Sequence, residues 1–360
     1  MTETAPWSNL AEAELSVTDA RDVARRTAEH LAGHGGSLTE TNEGWTIDFG
    51  LRRSTILVAG DRIALRSEGR DASLEQEMRL DLAGHLAEFG GPAHIDWPGA
   101  DPIVAPPSFR LMTVEAVSDL TPHMRRVRLR GPDLLRFATL RAMHCKLLIP
   151  PRDTVQLWPS LDPDGRLTVG NGIARKYTIR AVDPVAGWMD VDFVIHEVAG
   201  PVSDWASQAA PGQRLGLTGP GGGGIRLGGP ILMAGDATAL PAIARAIEAC
   251  PHGLSARALI EVSGPGEIQQ IDNPAGVAID WIETGTARPS ARLAEAVADL
   301  APHADTSVWV GCEFDGFRTI RSDLRGRLAH PRDRHLVVSY WRNGMAADRM
   351  ERRILERGVT

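Results

Sequence analysis

The sequence predicts a multidomain chain: an N-terminal α+β module, a six-stranded antiparallel β-barrel, and a doubly wound α/β domain. Three observations carry this expectation. Charge divides unevenly: residues 1–100 hold 17 acidic and 9 basic side chains, the remaining 260 hold 29 and 30, and the whole chain is at −7. From Phe109 to Thr218, short alternating segments are punctuated by Gly and Pro, as in an antiparallel barrel. From Pro230 onward, continuous apolar runs alternate with helical periods, which means a parallel sheet covered on both faces. The expected divisions are residues 1–104, 105–225 and 226–360, with Pro102, Pro106 and Pro107 as a linker.

In the first module, Val17, Ala20, Val23, Ala24, Ala28 and Leu31 recur at helical spacing, predicting a helix over 16–34 ended by Gly33, Gly35 and Gly36. Three strands follow at 45–49, 54–58 and 62–66, separated by turn signals at Gly50 and Gly60-Asp61. A second helix is expected from Ser73 to Phe89. His30, His34, His85 and His94 fall here. They lack a metalloprotease spacing, and Gly33 is expected to break the helix between His30 and His34, so they read as solvated surface histidines with no metal site.

The barrel strands are expected at 110–117, 124–130, 145–149, 176–182, 189–196 and 214–218. One helix begins near Val202, behind Gly200-Pro201, with Ser203 either a plain N-cap or a hydroxyl donor to a ligand. The run Gly219-Pro220-Gly221-Gly222-Gly223-Gly224 marks a boundary, and its spacing is not a dinucleotide fingerprint. Beyond it, strands are expected at 230–234, 256–262, 277–281, 307–311 and 335–340, with helices at 238–249, 291–300, 314–328 and 346–357. Ligands of such sheets bind beyond the carboxyl ends of the strands, where Gly235-Asp236 and the helix at Thr238 lie.

The most chemically loaded stretch is Arg175-Lys176-Tyr177-Thr178-Ile179-Arg180. As a strand it places Arg175, Tyr177 and Ile179 on one face, a ring beside a fixed cation. That suits a planar, phosphate-bearing ligand, and equally an exposed barrel strand with solvated charges. Three other stretches accompany it: Asp192-Phe193-Val194-Ile195-His196 leading to Gly200-Pro201-Val202-Ser203-Asp204-Trp205-Ala206; Ala234-Gly235-Asp236-Ala237-Thr238-Ala239-Leu240-Pro241-Ala242-Ile243; and Tyr340-Trp341-Arg342-Asn343-Gly344.

In this order, the four motifs resemble the siderophore-interacting protein family, ferric-siderophore reductases of the ferredoxin-reductase-like superfamily. The resemblance covers residues 105–360. The first hundred residues resemble a small bacterial domain of unknown function that is also found fused to such proteins. The resemblance implies an FAD-binding barrel and a NAD(P)H-binding α/β domain. It implies FAD contacts at Arg175, Tyr177, Thr178, His196, Gly200, Val202, Ser203 and Trp341, with the pyrophosphate at the helix start behind Gly200. NADPH or NADH would meet Gly235, Asp236, Thr238, Ala239, Leu240 and Pro241, although Ala237 stands where the family pattern usually has Glu. An anionic ferric siderophore would meet Lys146 and Arg342.

The chain has two tyrosines, Tyr177 and Tyr340, and two lysines, Lys146 and Lys176, against 37 arginines. Both tyrosines fall in motifs that the resemblance sets against the flavin. Trp341 is the expected lid over the ring, or else a core or edge tryptophan. Lys146 is either a substrate contact or a rim lysine reaching water. The implied chemistry passes hydride-derived electrons through FAD to Fe(III) and needs no catalytic protein side chain, in keeping with the lack of a Ser/His/Asp or Cys/His motif. Two alternatives stay open: a related flavoenzyme with another acceptor or ferredoxin as donor, and a non-catalytic siderophore-binding module.

Composition limits the rest. No apolar run reaches the ~18 residues needed to cross a bilayer, and Met1–Leu10 lacks the features of a signal peptide. Cys145, Cys250 and Cys312 are odd in number and widely spaced, which fits a reducing cytoplasm. Residues 101–152 carry 9 basic against 4 acidic side chains, a field suited to an anionic small molecule, and no nucleic-acid motif is present.

Overall fold

The computed structural model describes residues 7–151, 154–162, 165–195 and 200–345. The expected helix at 346–357 and His196 lie outside the described residues. The first part of the chain forms β1 (Asn9–Ser16), α1 (Ala20–Gly33), β2 (Ser37–Glu40), β3 (Gly44–Asp48), β4 (Arg52–Ala59), β5 (Arg62–Gly69) and α2 (Ala72–Glu88). Next come β6 (Phe109–Thr121), β7 (Met124–Arg130), β8 (His144–Ile149), β9 (Ser160–Leu161), β10 (Leu167–Thr168), β11 (Ile173–Thr178), β12 (Ala181–Asp183), β13 (Trp188–Val194), α3 (Pro201–Ser207) and β14 (Arg214–Gly221). The last part holds β15 (Ile231–Gly235), α4 (Leu240–Glu248), β16 (Ala256–Val262), β17 (Ala278–Glu283), α5 (Ala291–Leu300), β18 (Ser307–Glu313), α6 (Phe314–Arg325) and β19 (His335–Trp341). Two compact units result: Met1–Arg110 with Val155–Asn171, and Leu111–Thr154 with Gly172–Thr360.

The first unit is built on a five-stranded antiparallel sheet in the order β1-β5-β4-β3-β2. The helices α1 and α2 seal it with Ala24, Ala28, Leu31, Met78, Leu82 and Leu86 against Trp45, Ile47, Ile56, Ile63 and Leu65. Two strands correct the expected three. β1 is rich in Ala and Glu, both helix formers, yet it buries Ala11 and Ala13 at strand period. β2 is exposed along its whole length, so it carries no alternation for a pattern to reveal. β1 runs to Ser16, so α1 starts at Ala20 and not at 16. At its other end α1 runs through Gly33, and the chain leaves the helix at Gly35, whose φ of +103° suits glycine.

In the second unit the described residues form a barrel sheet of seven strands in the order β11-β8-β14-β6-β7-β13-β12. The six expected strands become seven because the run at 176–182 bends. Ile179 N–H donates to Met143 C=O at 2.8 Å, and Arg180 N–H donates to Asp190 C=O at 2.9 Å. Up to Thr178 the run pairs with β8, and from Ala181 it pairs with β13. The two edges of the sheet are therefore consecutive pieces of one run, which closes the barrel around Met112, Leu129, Phe137, Leu147, Val191, Phe193 and Leu217.

The α/β part is an all-parallel sheet in the order β17-β16-β15-β18-β19. α4 covers one face with Leu240, Ile243 and Ile247 against Met233, Ala258 and Ile260. α5 and α6 cover the other, with Leu293, Val297, Ile320 and Leu324 against Leu232, Leu259 and Val310. Burial on both faces explains the unbroken apolar strands. Barrel and sheet are joined by Arg245, whose guanidinium donates to Ile179 C=O at 2.8 Å and Phe137 C=O at 3.0 Å, and by the Arg180–Glu248 ion pair.

Candidate functional site

The β8–β11 ladder is the centre of the candidate site. Its register sets Arg175 opposite Leu147, Lys176 opposite Lys146, Tyr177 opposite Cys145 and Thr178 opposite His144. Because faces alternate, Arg175 and Tyr177 share the face of the buried Cys145 and Leu147, and Lys176 and Thr178 share the opposite face with Lys146 and His144. Ile179 lies just past the strand end and is fully buried in the barrel core that holds Cys145 and Leu147 and against which Tyr177 packs.

Tyr177 is half-buried and its ring meets Phe193 at a centroid distance of 4.5 Å and 42°. Burial pushes its phenol above the ordinary range. Beside it, the Arg175 guanidinium donates to Ala174 C=O at 2.7 Å. The pairing therefore gives an aromatic surface next to a guanidinium whose planar fork suits a phosphate.

On the other face, Lys146 and Lys176 are both exposed, and His144 reaches into the α/β part. His144 Nε2 and the Tyr340 hydroxyl are 2.6 Å apart, with the rings edge-on at 5.4 Å. Burial, then the nearby Lys176 charge, holds His144 below the ordinary imidazole range, so it is neutral at pH 7. Burial likewise raises the Tyr340 phenol, and a hydrogen bond with Thr178 offsets part of that rise. The two tyrosines thus come to one strand pair, but from opposite faces of it. That corrects the expectation of two stacking surfaces on a single ring.

Asp236, at the end of β15, is 7% exposed and saturated with internal donors. Its Oδ1 accepts from Thr238 N–H at 2.9 Å and the Thr238 hydroxyl at 2.5 Å. Its Oδ2 accepts from Glu313 N–H at 2.9 Å and from the Trp341 indole N–H at 2.8 Å. The residues expected to serve two different cofactors, Asp236 and Trp341, are therefore bonded to each other. Trp341 is anchored at its nitrogen by this bond.

This saturation extends to the start of α4. Ala239 and Leu240 N–H both donate to Asp236 C=O at 3.0 Å, and Pro241 has no N–H to give. Gly235, Asp236, Ala239, Leu240 and Pro241 are buried, and Thr238 is partly exposed. A side chain at Gly235 would stand 2.6 Å from Ala239 Cβ, so the glycine serves close helix packing. At this turn, where the nicotinamide nucleotide is expected, the Thr238, Ala239 and Leu240 N–H groups thus donate to Asp236.

The remaining expected residues are placed as follows. Gly200 caps α3 without a side-chain hydrogen bond, Val202 is buried in the barrel core, and the Ser203 hydroxyl donates to Val194 C=O at 3.4 Å. Arg342, just past β19, lies over the Phe314 ring at 4.6 Å. Two surface concavities are lined by Asp19–Asp22 with Gly60 and Asp61, and by Asp119–Pro122 with Arg125, Ile195 and Ser207, and among the described residues no expected cofactor or substrate contact lines either. Sequence reasoning did not single out His144, whose partner is 196 positions away, or the opposition of the lysines. The scarcity of lysine was the available signal.

Residues 113–224 match the family model for the siderophore-interacting FAD-binding domain, and residues 230–344 match that for siderophore-interacting protein. A ferric vibriobactin reductase, ViuB of Vibrio cholerae, is 28% identical over 252 residues, covering 65% of this chain and 90% of the relative. The crystal structure of a siderophore utilization protein from T. fusca superposes with a TM-score of 0.59 at 35% identity, over 66% of this chain and 94% of that one. The siderophore-interacting protein SipS from Aeromonas hydrophila superposes with a TM-score of 0.60 at 29% identity, over 72% and 100%.

Proposed function

The chain belongs to the siderophore-interacting protein family, and from that premise we propose that it is an FAD-dependent ferric-siderophore reductase, releasing iron by reducing Fe(III) to Fe(II). The observation that carries this reading is the β8–β11 ladder, with a ring and guanidinium on one face and two exposed lysines on the other.

The residues present fit the flavin part of this reading. Arg175 is the partner for a phosphate, Tyr177 is a ring held rigid by Phe193, and Gly200 leaves the start of α3 without a side-chain cap. FAD, when bound, supplies the conversion of a two-electron donor to one-electron transfer. Val202 N–H, Ser203 and Thr178 are further contacts in this reading. Lys146 and Lys176, with Arg342, attract a polyanionic chelate and hold it by charge. Hard oxygen donors suit Fe(III), so adding one electron weakens the complex and frees the metal. No proton need pass through the protein, and the neutral His144 serves as a strut between barrel and sheet. The free, buried thiols of Cys145, Cys250 and Cys312 suit a reducing cytoplasm.

NADPH or NADH is the donor that accompanies this fold. A second reading, with ferredoxin as donor, is favoured by the filled turn at Asp236–Pro241 and by Ala237. The test uses the purified full chain. A flavin spectrum supports either reading, and a sample that stays colourless with added FAD leaves only a siderophore-binding module. Anaerobic addition of NADPH, then NADH, then reduced ferredoxin, with a ferric tricatecholate and a ferrous-iron chromophore, identifies the donor. Failure of all three to produce Fe(II) from a flavin-loaded sample overturns the reductase reading.

A further inference from the structure

Three histidines of the first unit converge at one spot. α1 continues through Gly33, so His30 and the C-capping His34 are four positions apart on one side of its last turn. α2 lies against α1 and brings His85 to the same place. The ring centroids are 4.8 Å apart for His30–His34, 4.8 Å for His30–His85 and 5.0 Å for His34–His85. One ligand nitrogen from each lies within 4.8 Å of the others. The helix break expected at Gly33 does not occur, and the histidines read as solvated surface groups converge.

We propose that His30, His34 and His85 form a binding site for a borderline divalent transition-metal cation, with Zn²⁺ as its representative. Zn–N bonds of about 2.0–2.1 Å in a tetrahedron set ligand nitrogens about 3.3 Å apart, so nitrogens within 4.8 Å of one another need to converge by at most about 1.5 Å. Room for that exists, since His30 and His34 are exposed and nothing lies within 4 Å of a Cβ built at Gly33 or Gly84. His85 Nδ1 is 3.3 Å from Glu88 Oε2, a carboxylate placed to orient the ring and leave Nε2 for the metal. Phe89 closes another side, edge-on to His30 at 5.5 Å, with the Arg26 guanidinium over its ring. Three imidazoles without a carboxylate ligand select Zn²⁺ and its neighbours over Ca²⁺ or Mg²⁺. Three protein ligands also leave a fourth position for water or an exogenous group. The acidic balance of residues 1–100 draws cations toward the module.

The experiment uses untagged full-length protein stripped with chelator, dialysed against ZnCl2, and assayed for metal by mass spectrometry. One equivalent of Zn²⁺ is expected, undiminished by excess CaCl2 or MgCl2, and Co²⁺ in its place should give visible bands of tetrahedral symmetry. His34→Gln and His85→Gln should each weaken binding by at least about 100-fold, and His94→Gln should not. Far-UV circular dichroism checks that the variants are folded. Wild-type protein that retains no Zn²⁺ above the His34→Gln/His85→Gln double variant overturns the proposal, as does uptake that neither single change affects.

Discussion

Lys146 and Lys176, the only two lysines in the chain, are direct cross-strand partners on the outer face of the β8–β11 ladder. Like charges placed so oppose folding by a few tenths of a kcal/mol, a cost that makes sense where an anion docks. Lys146→Ala and Lys176→Ala are each expected to raise KM for an anionic ferric chelate by about 3–10-fold and to flatten its salt dependence, with kcat little changed. Each should also raise Tm slightly, because the repulsion is gone. Steady-state kinetics at two ionic strengths check this. A lowered Tm with unchanged KM would make the lysines ordinary surface groups.

The bond from the Trp341 indole to Asp236 predicts a stability effect separate from any cofactor. Asp236→Ala strips partners from Thr238, Glu313 and Trp341 together and should cost about 2–4 kcal/mol. Trp341→Phe removes one donor and should cost about 1 kcal/mol. Since the two share a bond, the double variant should lose less than the sum. Urea denaturation of the four proteins measures the coupling, and strict additivity would mean that the bond contributes nothing.

Much of this architecture was legible because burial leaves a period in the sequence. β15, β16 and β18 are covered on both faces and read as unbroken apolar runs, and α4 and α5 repeat at helical spacing. β2 was hidden because none of its side chains is buried, and β1 because its buried residues are alanines. The bend at Ile179–Arg180 was hidden because both halves of the run have strand composition, and only the register with β8 and β13 divides them. In the site, residue types were readable and partners were not. Asp236 sits where a ligand-binding residue would, yet its donors come from Thr238, Glu313 and Trp341, and two of those lie more than seventy positions away. The histidine cluster depended on one residue: Gly33 reads as a helix breaker, and the helix passes through it.

Tyr177 separates the flavin surface from mere core packing. Tyr177→Phe keeps the ring against Phe193 and should retain flavin, since the hydroxyl is not what stacks. Tyr177→Ala removes the ring, should release flavin during gel filtration, and should destabilise the barrel by about 2–3 kcal/mol, less than truncation of a fully buried aromatic because the ring is half-buried. Absorbance of the eluted protein gives the first result and thermal unfolding the second. Full flavin retention in Tyr177→Ala would remove this residue from the site.

Glu261, at the end of β16, gives a pH prediction with a definite sign. It is 2% exposed, and burial, reinforced by the Asp236 carboxylate, raises its pKa from 4.5 to about 7. As pH rises from 4.5 toward 7, the unfolded chain has already released this proton and the folded chain still holds it. The folded state therefore binds more protons over that interval, and this group's contribution to stability falls with rising pH until it levels off above 7. Glu261→Gln keeps a neutral group of the same shape and has no proton to release. Its stability relative to the parent should be near zero or slightly negative at pH 4.5, then grow to an advantage of about 1–3 kcal/mol at pH 8. Carboxylates held low by arginine, such as Asp119, act with the opposite sign but are common to both proteins and cancel in the difference. Denaturant unfolding of both proteins across this pH range is the measurement. A difference that does not change with pH would mean that Glu261 is ionised in the fold throughout, and the burial argument would fail.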